Sequence, residues 1–133
     1  TFGIDMALGK DLDETASWEE HMFVPLILKK AYAEAAEYIG ADGIIPSGEA
    51  MLAIYEAGVK AHRDGFHAHK GIGRYLLALN VYATLSGRDI SANTFSDFDE
   101  EVTPEAAAAA RAIVSEISAK YREMNKEYAK EAL

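Results

Sequence analysis

The stretch from Ile72 to Leu85 constrains the fold most. At helical spacing its Tyr75, Leu76, Leu77, Leu79, Val81 and Leu85 do not fall on one narrow stripe. A surface helix of a globular protein buries one apolar face, so a helix that is apolar on almost every side must be covered from several directions. The spacing therefore predicts a helix central to a larger fold, ended by Ser86-Gly87, because glycine readily takes the left-handed turn that stops a helix.

The neighbouring segments are also helical in pattern. From Ser17 to Ile39, Val24, Ile27, Ala31, Ala35 and Tyr38 recur at three- and four-residue intervals and are expected to share one buried face. Pro25 is best tolerated in a first turn, so the helix is expected to start near it and to stop at Gly40. Ser47 precedes a second helix expected to reach about Ala61, with Ser47 as its N-cap. Thr103-Pro104-Glu105 combines a cap, a first-turn proline and an acid at the positive end of the dipole. It opens a C-terminal helix over 103–133 with Ala106, Ala110, Ile113, Ile117, Tyr121, Met124 and Tyr128 on the expected apolar face. Between these helices lie a polar loop from Arg88 to Glu101 and one short apolar run, Ile44-Ile45-Pro46, that suits the end of a buried strand. Thr1 to Ile4 has the pattern of a strand end, and Gly9 to Thr15 that of an acidic loop.

One strand cannot make a sheet. The chain of 133 residues is long enough for one core but short for two ordinary domains. It is thus either an all-helical bundle or a single partial domain, 1–133, of a sheet-containing fold whose other strands lie in missing sequence or another chain. The many-sided helix at Ile72 favours the second.

Composition narrows the function classes. A net charge of −9 opposes binding to nucleic-acid phosphates and to anionic membrane surfaces. No apolar run of about 18 residues is present, so no membrane-spanning helix is expected. Zero cysteines exclude disulfides, thiolate nucleophiles and cysteine-ligated metals. The compartment stays open; a soluble chain is expected, periplasmic or secreted if an upstream signal peptide has been removed.

The segment His62-Arg63-Asp64-Gly65-Phe66-His67-Ala68-His69-Lys70-Gly71 is chemically unlike its surroundings. A carboxylate three residues before a histidine in a loop can turn back to accept the ring Nδ1–H, which leaves Nε2 to take a proton. Gly65 would allow the turn and Phe66 would anchor it. An acid that orients a base in this way is part of hydroxyl activation, although the same pairing as a capping device needs no chemistry.

Taken with Gly71-Ile72-Gly73-Arg74-Tyr75-Leu76-Leu77-Ala78 and Val81-Tyr82-Ala83-Thr84-Leu85-Ser86-Gly87, the Asp64-x-x-His67 segment resembles the last conserved block of the SGNH (GDSL-type) hydrolase superfamily. The likeness is to uncharacterised bacterial SGNH-like hydrolases, and Ile44 to Ala50 is similar to their last strand and the helix after it. The region 44–87 carries the resemblance. It implies an α/β fold, the C-terminal portion of a three-layer α/β/α domain. It also implies a serine esterase that acts on carbohydrate or other small O-acyl esters through an acyl-enzyme, with Asp64 as orienting acid and His67 as general base. His69 and Phe66 are weaker candidates for substrate or supporting contacts, and Gly73 and Tyr75 are expected to pack the following helix. No cofactor is implied.

Departures from the pattern are specific. The family's Ser or Asn near the helix start is replaced by Ala68 and His69. None of the serines sits in a Gly-Asp-Ser block or a Gly-x-Ser-x-Gly elbow, and Ser47 is the sole in-chain candidate. The expected nucleophile and oxyanion donors would therefore come from an N-terminal segment or companion chain. Two alternatives compete with the esterase: a metal site built from His62, Asp64, His67 and His69, and a noncatalytic helical interaction protein, which needs no nucleophile. His21, Trp18 and Tyr32 border no assigned chemistry.

Overall fold

A computed structural model of the chain describes residues 23–64 and 67–131. Expectations for Thr1 to Ile4, for Gly9 to Thr15, for Ser17, Trp18 and His21, and for Gly65 and Phe66 lie outside those residues. Among the described residues four helices follow in order: α1, Phe23–Ile39; α2, Ser47–Glu56; α3, Ile72–Ser86; and α4, Pro104–Glu131. Among the described residues there is no strand, and the single extended contact is an isolated antiparallel bridge between His62 and Ala68.

The α/β expectation is therefore corrected. An SGNH domain needs a sheet as its middle layer, and the described residues pack helix on helix with none, so the resemblance to that superfamily is not upheld. Its signature covered a turn and one helix, local patterns that an all-helical chain can share. Ile44-Ile45-Pro46, read as a strand end, is irregular. The Ile44 peptide groups are instead satisfied by one side chain: Asn125 accepts the Ile44 N–H through Oδ1 at 2.8 Å and donates Nδ2–H to the Ile44 carbonyl at 3.0 Å. The amide thus does what a neighbouring strand's peptide would do, and ties α4 to the α1–α2 link.

Helix limits follow local chemistry. Pro25 stands in the first turn of α1, where its missing N–H breaks no helical bond, and Gly40 ends the helix at φ +65°. α2 starts at Ser47 itself, with Pro46 as the preceding residue and no side-chain cap, so the expected Ser47 cap is not formed. It stops at Glu56, short of the expected Ala61, because Gly58 turns the chain at φ +82°. Gly87, at φ +67°, ends α3. Thr103 Oγ1 accepts the Ala106 N–H at 3.2 Å and so caps α4.

The core lies where α2, α3 and α4 meet. Met51 and Ile54 of α2, Ile72, Leu76, Leu79 and Ala83 of α3, and Ala110 and Val114 of α4 form it, with Ile90 inserted from the loop that follows α3. Full burial of an aliphatic side chain of this size stabilises by about 1.5–3 kcal/mol. Small residues on α4 let α3 lie close, and this is the most extensive helix pair. The contact line along α4 runs through Ala110, Val114, Ser118 and Tyr121, whereas Met124 of the expected face is exposed. α1 packs on α2 through Leu28 and Ala36 rather than the expected stripe, and Tyr38 is 92% exposed.

A charged cluster joins three helices. Glu49 of α2 pairs with Lys29 of α1, accepts the Tyr121 hydroxyl of α4 at 2.9 Å and lies 3.7 Å from Lys120 Nζ. Burial alone would raise the Glu49 pKa. The hydrogen bonds from Lys29 and Tyr121 and the two lysine charges outweigh it and hold the carboxyl below its ordinary value. Burial and the bond to Glu49 push the Tyr121 phenol up.

Candidate functional site

Two regions carry unusual chemistry. The first is the histidine turn between α2 and α3. Its ends are held by Arg63 N–H to the His67 carbonyl at 3.0 Å and His69 N–H to the Ala61 carbonyl at 2.8 Å. This leaves Asp64 and His67 at the tip. One Asp64 oxygen accepts the His67 backbone N–H at 2.7 Å, and the other lies 2.7 Å from His67 Nδ1, with Arg63 Nε at 3.6 Å. The carboxylate thus closes the turn and orients the ring, and the side chains are 17% and 46% exposed respectively. Nδ1 facing a carboxylate assigns the proton to that nitrogen.

His69 lies on the helix side of the turn. Its Nδ1 accepts the Gly71 N–H at 3.1 Å and its Nε2 is 2.9 Å from Glu100. The first bond satisfies one of the amides left over at the start of α3, the position where the sequence lacked a Ser or Asn. His62 is partly buried, and that burial pushes its pKa down against the opposing charge of Asp64. Asp64 and His67 are paired with each other, while His69 turns to Gly71 and Glu100, so the four candidate ligands do not converge on one point. Among the described residues no three acids or histidines are grouped so as to hold a metal ion, which corrects the metal alternative.

The esterase expectation is corrected as well. Without a sheet among the described residues there is no strand end among them from which a nucleophile can be presented beside the turn. Ser47 is the first residue of a helix and follows no strand. Ser86 donates to the Tyr82 carbonyl at 2.7 Å, Ser91 to Asp89 at 2.9 Å and Ser118 to the Ser115 carbonyl at 3.4 Å, so these hydroxyls serve their own turns. An orienting acid and an imidazole without nucleophile and oxyanion donors do not make an acyl-transfer site. Phe66 lies outside the described residues.

The second region is an open groove of about 590 Å³ between α3 and the loop that leads to α4. Its apolar lining comes from Tyr75, Ala78, Leu79 and Tyr82 on α3 and Ile90, Phe95 and Phe98 on the loop. Three rings are in mutual contact: Phe98 packs edge-on against Tyr75 and Phe95, each at 5.2 Å between centroids, while Tyr75 and Phe95 are stacked at 6.4 Å. Edge-on packing is favoured because the positive ring edge meets a negative face.

Polar bonds fasten the loop. The buried Tyr75 donates its hydroxyl to Asn93 at 2.9 Å, and Arg111 of α4 approaches the same oxygen at 3.4 Å. Asn93 also accepts the Phe95 N–H at 3.2 Å, Arg74 meets Asp99 at 2.5 Å, and Asp89 accepts the Ser91 N–H at 2.8 Å. The Ser91 backbone and side-chain bonds hold the exposed Asp89 carboxyl below its usual range. The result is a pre-shaped apolar trough with a charged rim. Yet Phe95 remains 55% exposed, a large ring not fully covered by the described residues.

Sequence reasoning did not single out this groove. A signal was present: Phe95 and Phe98 interrupt an otherwise acidic and polar loop. Only the folded chain brings those rings onto α3. Compared with family models, with curated proteins and with solved structures, the chain finds no match in any of the three.

Proposed function

We propose that this chain is a noncatalytic helical interaction module whose recognition surface is the groove between α3 and the following loop. The carrying observation is that α3 remains apolar where the described residues do not cover it: Val81 is 41%, Tyr82 46% and Leu85 72% exposed, beside a trough floored by aromatic rings. Concave, mostly apolar sites with a few placed polar groups are the usual form of a binding pocket, and contiguous exposed apolar surface marks interaction sites. The Asp64–His67 pair is read here as a turn-closing device that steadies the start of α3. No described helix is long and apolar enough to cross a membrane.

Indole, a small aromatic amphiphile, tests the reading as an anchor probe. Titration into the ¹⁵N-labelled chain is expected to shift the amides of Tyr75, Leu79, Ile90 and Phe98 saturably and to leave α1 unchanged. Ala78→Trp, which fills the trough from its wall, should abolish those shifts without loss of helicity. Diffuse or absent shifts in the wild-type chain would refute the proposal.

A further inference from the structure

We infer that the occupant of this groove is a cationic amphipathic helix of a partner protein, an inference that rests on the binding-module reading and names the partner's chemistry. The first reason is geometric. Ala78, Val81, Tyr82 and Leu85 recur at intervals of three and four along α3 and form one outward arc beside the groove, a length of about two helical turns. A straight apolar ridge flanked by a trough is the surface that a second helix covers, laying its own i, i+3, i+4 and i+7 anchors alongside. A small ligand could fill the trough but would leave Val81 and Leu85 in water.

Charge is the second reason. From residue 88 to residue 101 the loop carries five carboxylates, Asp89, Asp97, Asp99, Glu100 and Glu101, against one cation, Arg88, whose guanidinium lies 3.5 Å from the Tyr82 hydroxyl. Three of these carboxylates, Asp89, Asp97 and Asp99, border the groove. Arg74 neutralises Asp99, and among the described residues Asp89 and Asp97 make no ion pair. Lys70 is at the rim near the start of α3, so the acidic side is the loop edge. A second copy of this chain, also at −9, would bring like charge to that edge, whereas a helix with lysines or arginines flanking its apolar face would complement it. Complementary charge steers encounter and selects partners, while the apolar anchors supply most of the affinity.

The test uses two synthetic helical peptides with the same leucine pattern and one tryptophan anchor, one carrying lysines on its polar face and the other glutamates. With the full chain, the lysine peptide is expected to bind at least about tenfold more tightly than the glutamate peptide, with amide shifts on the outer face of α3 and residues 89–98. Leu85→Asp should weaken it about tenfold or more, and Leu85→Ala by less, with melting temperature as the check on folding. Asp89→Asn with Asp97→Asn should weaken it about threefold to tenfold at low salt, a difference that shrinks at about 0.5 M salt as screening shortens; asparagine keeps an acceptor for the Ser91 N–H. Equal binding of both peptides, binding of neither, or shifts confined to another face would overturn the inference. So would a dimer in sedimentation that Leu85→Asp dissociates, which would make the occupant a second copy. Indole shifts in the groove without a charge preference among peptides refute the partner class alone; loss of the indole shifts refutes the module itself.

Discussion

Asn125 closes a tertiary contact with no help from regular structure, and its removal makes a sharp test of the packing. Its amide makes two bonds to the Ile44 peptide groups, at 2.8 and 3.0 Å, in a partly buried setting. Each such bond contributes about 0.5–1.5 kcal/mol net, and water can reach part of the vacated Ile44 backbone, so Asn125→Ala is expected to destabilise by about 2 kcal/mol. Gly43 meets the same amide from the other side. A Cβ on Gly43 would lie 2.5 Å from Asn125 Cγ and 2.8 Å from both Oδ1 and Nδ2, so Gly43→Ala must push the amide off its two bonds and should also destabilise by about 2 kcal/mol.

The double variant separates this mechanism from general loosening. Gly43 is not among the glycines of positive φ, so its backbone suits alanine. Once Asn125 is truncated the obstruction is gone, and Gly43→Ala should then be neutral or stabilise by up to about 1 kcal/mol through a less disordered unfolded chain. The coupling in a double-mutant cycle is therefore about 2 kcal/mol or more, well above the few tenths expected of independent sites. Urea denaturation followed by far-ultraviolet circular dichroism measures all four proteins, and an unchanged slope keeps the comparison within two-state unfolding. Additive effects, or an Asn125→Ala change below about 0.5 kcal/mol, would refute the clamp.

Gly73→Ala should destabilise by about 2 kcal/mol or more, because its Cβ would stand 2.3 Å from the Ala61 carbonyl oxygen that accepts the His69 N–H; hydrogen exchange should show the His69 amide losing protection first. Asn80 is fully buried with no partner for its Nδ2, so Asn80→Leu should leave stability unchanged or raise it by up to about 2 kcal/mol, whereas Asn80→Ala should lower it by leaving a cavity. A leucine variant clearly less stable in thermal melts would show that the long bond Asn80 Oδ1 accepts from the Thr84 hydroxyl, at 3.5 Å, outweighs the cost of the unpartnered Nδ2. Glu49 is held below its ordinary pKa when folded, so its contribution is present above the unfolded carboxyl value and is lost as pH falls through the folded value. Melting temperature should accordingly drop on acidification below about pH 4.5, and Glu49→Gln should flatten that part of the profile.

Local features were legible in the sequence where their physics is local. Pro25, Gly40, Gly87 and the Thr103-Pro104 start act on their own turns. Asp64 reaches His67 because a loop carboxylate three residues before a histidine closes on it without tertiary help. The strand at Ile44 to Pro46 was misread because a short apolar run shows that a segment is shielded and not what satisfies its backbone; the satisfying group, Asn125, lies 81 residues away. The inferred hydrolase depended on a sheet, which turn and helix patterns cannot specify.

The many-sided apolar character of Ile72 to Leu85 was plain from the residues alone, since helical spacing follows from backbone geometry. What covers each side is a long-range matter. Leu76 and Leu79 are buried by the chain's own helices, Tyr75 is roofed by Phe98 and Phe95, and Val81 and Leu85 are left outside. Burial depends on contacts between residues far apart in sequence, so only the tertiary structure decided which face of α3 became core and which remained exposed.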